Sequence, residues 1–167
     1  MPAAPWWREV LQRVVLTFQA NSDLAPTTGL CGKIEAGITD ALRDQDIMGF
    51  EMPYAGVSSR TFPDDDTHEA PVPFSSHAIE VLVGIATLNR SQLAAEQSAM
   101  DIIATIALAV GHEKTRQKFS LTSAYGRIED VLVGGGGLTE IGKSKDDATF
   151  LVLAEYRFRI IYWLQLA

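Results

Sequence analysis

The sequence predicts an α+β domain: a mostly antiparallel sheet, two main helices packed on one face, and a long hairpin. Three observations carry that prediction. Two segments repeat apolar residues at three- and four-residue spacing, two others alternate with a period of two, and the last two strands follow each other with no helix between them. All 167 residues read as a single domain, with loops at about 61–75, 112–123 and 134–149.

The first helix spans Trp6 to Ala20, where Trp7, Val10, Leu11, Val14, Val15 and Phe18 form one broad apolar stripe. Pro5 suits its first turn, and Asn21-Ser22-Asp23 ends it. Between Leu24 and Gln45 the chain is punctuated by Pro26, Gly29, Gly32 and Gly37. Lys33 to Asp44 places Ile34, Ile38 and Leu42 at helical spacing, which leaves a short helix and an irregular segment equally open. Ile47 to Ser59 reads as extended, with Pro53 confining it to an edge or a bulge. Thr61 to Pro73 reads as a loop.

Ser76 to Leu88 has the pattern of a buried strand, with Ile79, Val81, Val83 and Ile85 on one face. The helix after it begins at Asn89, with Gln92 completing a capping box. Leu93, Glu96, Met100, Ile103, Ala107 and Val110 run down one side of it, and Gly111 stops it. Its many alanines favour the helix and permit close packing on a sheet. A basic loop with Lys114, Arg116 and Lys118 follows. Tyr125 to Val133 reads as a strand that the Gly134-Gly135-Gly136-Gly137 run breaks, and Leu138 to Ile141 is a candidate to resume it. The final strand, from Phe150 to Trp163, alternates throughout, with Arg157 and Arg159 in the middle of one face.

Apolar residues make up 47% of the chain, which rules out disorder as its main state. The net charge of −7 argues against a protein whose main task is gripping nucleic acid, because that affinity comes from neutralising phosphates. The acidity is regional. Residues 35–80 carry ten acids against Arg43 and Arg60, a net of −8; the preceding segment sums to +1 and the remainder to zero. Such bias marks a solvated loop or a surface facing something, and Asp64, Asp65, Asp66 and Glu69 lie in it. The lone Cys31 excludes an internal disulfide. No basic stretch with an apolar core opens the chain, and its longest apolar run falls short of the roughly 20 residues that cross a bilayer. The expectation is a cytoplasmic product with no membrane partner.

The candidate chemistries are weak. The glycine run lacks the helix start and Lys-Ser/Thr pair of a phosphate loop, so it reads as a flexible turn. The aspartate run lacks the alternation, glycine and distal glutamate of a calcium loop. His68, His77 and His112 lack ligand-spaced partners, and the serines sit in no nucleophile elbow. The expectation is a non-enzymatic protein without cofactor or metal.

The C-terminus is more informative. Ile161, Trp163 and Leu164 fall on what should be the exposed side of the last strand, and a strand apolar on both sides needs cover from a neighbouring subunit. The competing reading is a central strand between two internal layers. The element order is similar to that of the tail terminator and neck proteins of tailed bacteriophages, also called tail completion or head–tail joining proteins. An N-terminal amphipathic helix precedes a strand and helix (His77 to Leu88, Asn89 to Val110), then a hairpin (Tyr125 to Val133, Phe150 to Tyr162). The run Glu155-Tyr156-Arg157-Phe158-Arg159-Ile160-Ile161-Tyr162 resembles the aromatic and basic alternation that ends those proteins.

The resemblance implies a subunit that closes into a ring, often hexameric, stacked on the tail tube and joining it to the head. Its partners would be its own copies, the tube protein and head-side connector proteins, with DNA passing unbound and the product residing in the virion after assembly in the host cytoplasm. Ring closure needs two different patches per subunit. The candidates are Arg157, Arg159, Ile161, Trp163 and Leu164 with the Lys114, Arg116 and Lys118 loop, set against the acidic region of Asp64, Asp65, Asp66 and Glu69. Rival readings are another virion adaptor (head completion or baseplate), or a ligand-binding domain or enzyme using a cleft between the second helix and the sheet.

Overall fold

Two long, largely buried strands build the centre of the molecule. The computed structural model describes residues 6–37, 52–59, 64–65, 74–121, 125–143 and 148–165. In chain order the elements are α1 (Trp6–Ala20), β1 (Lys33–Ala36), β2 (Tyr54–Ser58), β3 (Asp64–Asp65), β4 (Ser75–Asn89), α2 (Gln92–Gly111), α3 (Glu113–Lys118), β5 (Tyr125–Lys143) and β6 (Phe150–Gln165). The sheet runs β1-β2-β4-β6-β5, and β3 pairs with β4 outside that path. Only β1 and β2 are parallel; the other pairings are antiparallel. The expected α+β architecture is the one observed.

Register fixes the core. Ile79, Val81, Val83 and Ile85 of β4 lie opposite Ile160, Phe158, Tyr156 and Ala154 of β6, and all eight are buried in one apolar cluster. Both long helices cover that face. From α1, Val10, Val14, Val15 and Phe18 enter the cluster, as the helical spacing requires. The Phe18 ring meets Phe158 edge-on at 6.4 Å, and Gln19 Nε2 donates to the Ile34 carbonyl at 2.7 Å, tying the end of α1 to β1.

From α2, the residues Ala95, Ala99, Ile102, Ile103, Ile106, Ala109 and Val110 are buried. This corrects the expected stripe: Leu93 and Met100 are exposed, and two alanines lie against the sheet in their place. The seam is tight enough for the buried Thr87 hydroxyl to donate to the Ala95 carbonyl at 2.8 Å. The cap is corrected too. Ser91 accepts from the Ala94 amide, while Asn89 Oδ1 accepts from the Ser91 amide, so the helix begins two residues later than the Asn89 box predicts. By length and composition α2 could cross a membrane, which the count of consecutive apolar residues missed, because polar residues interrupt the run without dominating it.

Three further expectations change. Lys33–Ala36 is a strand, so the helix left open for Lys33 to Asp44 does not form there; most of the remainder lies outside the described residues. The strand after Pro53 is internal, between β1 and β4, with Pro53 just before it rather than within it. The glycine run does not break its strand: β5 continues from Tyr125 to Lys143, with register shifts between Ile128 and Asp130, Val133 and Gly136, and Leu138 and Glu140. Bulges absorb extra residues and let the ladder continue.

Candidate functional site

The residues expected to form one interface are distributed over three environments. Arg157 and Arg159 are exposed on the sheet face away from the helices, across from Leu82 and Glu80 of β4. Arg157 pairs with Glu155 at 3.0 Å and with Glu80 at 3.6 Å, so charge on this face is largely balanced within the strands. Around it, Tyr54, Ala86 and Leu153 make a second, smaller apolar cluster on the same face. The Tyr54 hydroxyl donates to Glu35 Oε1 at 2.9 Å, and burial together with that carboxylate raises its pKa.

Ile161 and Leu164 are fully buried, and Trp163 is partly buried with its indole N–H enclosed and unpartnered. This corrects the expectation that these three side chains lie on the exposed side of the last strand. Leu164 belongs to the helix-covered core, whereas Ile161 is buried on the opposite face, across from the buried Ala78 of β4. β6 is central in the sheet, as the competing reading has it, but exposed Arg157 and Arg159 show that one of its faces is not covered by an internal layer throughout.

Lys114 and Lys118 are exposed on α3, which occupies part of the segment expected to be a loop. Arg116 is engaged: its Nε donates to the Val110 carbonyl at 3.2 Å, and its guanidinium lies 3.6 Å from Asp130 of β5. A shallow cleft of about 410 Å³ lies there, lined by residues such as Glu113, Arg116, Ser120 and Asp130. It sits between α3 and β5, whereas the cleft imagined for an enzyme lay between α2 and the sheet, where Ala95, Ala99, Ile102 and Ile106 are buried. Among the described residues, no group of three or more His, Cys, Asp or Glu side chains could hold a metal. Asp64 and Asp65 form the short β3, paired with Ala78 and His77, while Asp66 and Glu69 lie outside the described residues.

What the sequence reading missed is the continuity and exposure of β5. That strand is terminal in the sheet, and from Leu132 to Lys143 no residue is buried. Leu132, Val133, Leu138 and Ile141 are exposed there, and two of them sit next to the glycine run. Val133, Leu138 and Ile141 lie opposite Phe158, Ala154 and Val152, on the helix side of the sheet, yet the helices leave them uncovered. Such an edge presents unpaired main-chain donors and acceptors along with apolar side chains. Apolar residues on both sides of Gly134–Gly137 were the available signal, since glycine within a strand pattern also marks a bulge. A scan of the chain against protein-family models returns no match, and a search of curated proteins finds none that matches.

Proposed function

We propose that the chain is a non-enzymatic assembly subunit whose chemistry is surface complementarity, and that it forms a ring at the head-proximal end of a phage tail. There it caps the tube and presents a docking surface to head-side proteins. One observation carries the assembly reading: twelve residues of β5, Leu132 to Lys143, form an unburied terminal edge with four exposed apolar side chains. Soluble monomers blunt such edges with charge or cover. Here Glu140 and Lys143 supply some charge, but the apolar side chains stay wet in the isolated chain.

The tail-terminus reading is supported by the order of elements and by the alternating aromatic and basic texture of β6. Its surroundings follow from charge. A ring through which DNA passes must not hold phosphate, and a chain of net charge −7 repels it. Tube protein and head-side connectors are the implied partners, and the virion the implied location. In this reading the β5 edge joins a different surface of the neighbouring copy, so closure is head-to-tail.

Native mass measurement and negative-stain imaging test the proposal. The wild-type chain is expected to give annular multimers, alone or on purified tail tubes. The double substitution Val133→Lys with Ile141→Lys should give smaller species with an unchanged melting temperature, because neither side chain is buried. A wild-type chain that stays monomeric at high concentration and forms no annulus on tubes overturns it.

A further inference from the structure

His112 stands at two helix ends at once. Its backbone N–H donates to the Ala109 carbonyl, which makes it the C-cap of α2. Its Nδ1 accepts from the Lys114 amide at 3.2 Å, which makes it the N-cap of α3. The capping atom is a ring nitrogen with one lone pair. Neutral imidazole accepts there as the tautomer that carries its proton on Nε2. Protonated imidazole accepts nowhere, because both of its nitrogens are then donors.

The helix capped in this way depends on its ends. α3 is six residues long and none of them is buried, so it is too short to hold itself and has no apolar face sunk in the core. Its C-terminal end is anchored by buried Phe119, whose N–H donates to the Arg116 carbonyl and whose own carbonyl accepts from Tyr162. Arg116 reaches the Val110 carbonyl and Asp130. The first turn rests on His112: the Thr115 and Arg116 amides donate to its carbonyl at 3.1 Å, and the Lys114 amide donates to its ring.

We infer that His112 is a pH-sensitive cap, holding the first turn of α3 when neutral and releasing it when protonated. The surrounding charges set the sign. An imidazolium stands at the positive end of the α3 dipole and four residues before Arg116, and both are unfavourable. Neighbouring Glu113 offsets part of this, while Lys114 adds to it; Asp130 of β5 is engaged by Arg116. The charged side chains of α1, which also packs against α3, are Arg8 over the Trp7 ring and the Glu9–Arg13 pair at 3.9 Å. At the end of α2 the same charge is favourable: a cation suits a carbonyl terminus, and α2 has no basic residue in its last turn. Protonation therefore opens the first turn of α3 and leaves α2 intact. This device is independent of the assembly proposed above.

Hydrogen exchange at the Lys114, Thr115 and Arg116 amides tests it, compared at pH 8 and pH 5, the range in which histidine side chains ordinarily change charge. An N-cap changes helix opening by about two- to thirtyfold. After correction for intrinsic exchange rates, wild-type protection at these amides should be lower at pH 5 by a factor in that range, with Ile106 of α2 unchanged. His112→Asn, which caps without titrating, should keep the protection at both pH values, and His112→Ala should lack it at both. His112 is exposed, so neither variant disturbs the core. Equal wild-type protection at the two pH values overturns the inference. So does a loss at pH 5 that persists in His112→Asn, which would assign the titration to Glu113 or another group.

Discussion

Tyr156 and Tyr162 occupy the same face of β6, and their hydroxyls meet opposite fates. The Tyr162 hydroxyl, fully buried, donates to the Phe119 carbonyl at 2.9 Å. The Tyr156 hydroxyl is enclosed with no partner. A buried polar group without a hydrogen bond costs about 1–3 kcal/mol, because it gives up water and receives nothing. Tyr156→Phe should therefore raise stability by roughly 1 kcal/mol, and Tyr162→Phe should lower it by about 1–3 kcal/mol by stripping the carbonyl of its donor. Urea denaturation midpoints at neutral pH measure both, and a destabilised Tyr156→Phe would contradict the first. Period-two alternation was enough to place both rings in the core. The hydroxyl fates were not legible, since the Phe119 acceptor is 43 positions from Tyr162 and its location depends on how α3 docks.

Among the elements, those with a single repeating pattern were legible: α1 from its stripe, β4 and β6 from their alternation. The face of α2 was not, because apolar residues surround the helix and its alanines make the tightest contacts. Nor was the unbroken course of β5 through Gly134–Gly137, where glycines supply no side chains to alternate. Yet those glycines are not interchangeable. A Cβ on Gly134 would collide with the Arg157 carbonyl, and one on Gly136 would lie 2.6 Å from the Glu155 carbonyl oxygen and 2.9 Å from the Tyr156 ring. Positions 135 and 137 have nothing within 4 Å. The contrast follows from the bulge between Val133 and Gly136, which presses alternate residues onto β6. Gly134→Ala and Gly136→Ala should each cost about 1–3 kcal/mol, as overpacking against backbone does. Gly135→Ala and Gly137→Ala should be neutral or slightly stabilising, since they restrict the unfolded chain. Thermal unfolding of the four variants checks the alternation, and a uniform response would refute it.

For the whole molecule, the location of the exposed apolar strand was the least legible feature, because it depends on strand order rather than on any one strand. That β6 is apolar on both faces is readable from its residues; only its position between β4 and β5 shows that β5, not β6, ends this side of the sheet. The same enclosure governs the response to alkali. Burial pushes the Cys31 thiol up from 9.0 to about 11, and raises the Tyr162 and Tyr54 phenols from 10.0. Cys31 and Tyr162 belong to the main core and Tyr54 to the smaller one, so each group stays neutral in the folded state at a pH where it ionises in the unfolded chain. The unfolded state then binds fewer protons, and stability falls as pH rises. The contribution is fully present below about pH 9. Loss begins there as the unfolded thiol ionises, at a limiting slope of about 1.4 kcal/mol per pH unit, and steepens past pH 10 as these phenols and that of Tyr156, also raised by burial, join. Cys31→Ala should start from a lower stability at pH 7, through the cavity it leaves, but lose the decline between pH 9 and 10. Urea titrations at half-unit steps from pH 7 to 11 would show this, and an identical slope in the variant would mean that the thiol is not held neutral by the core.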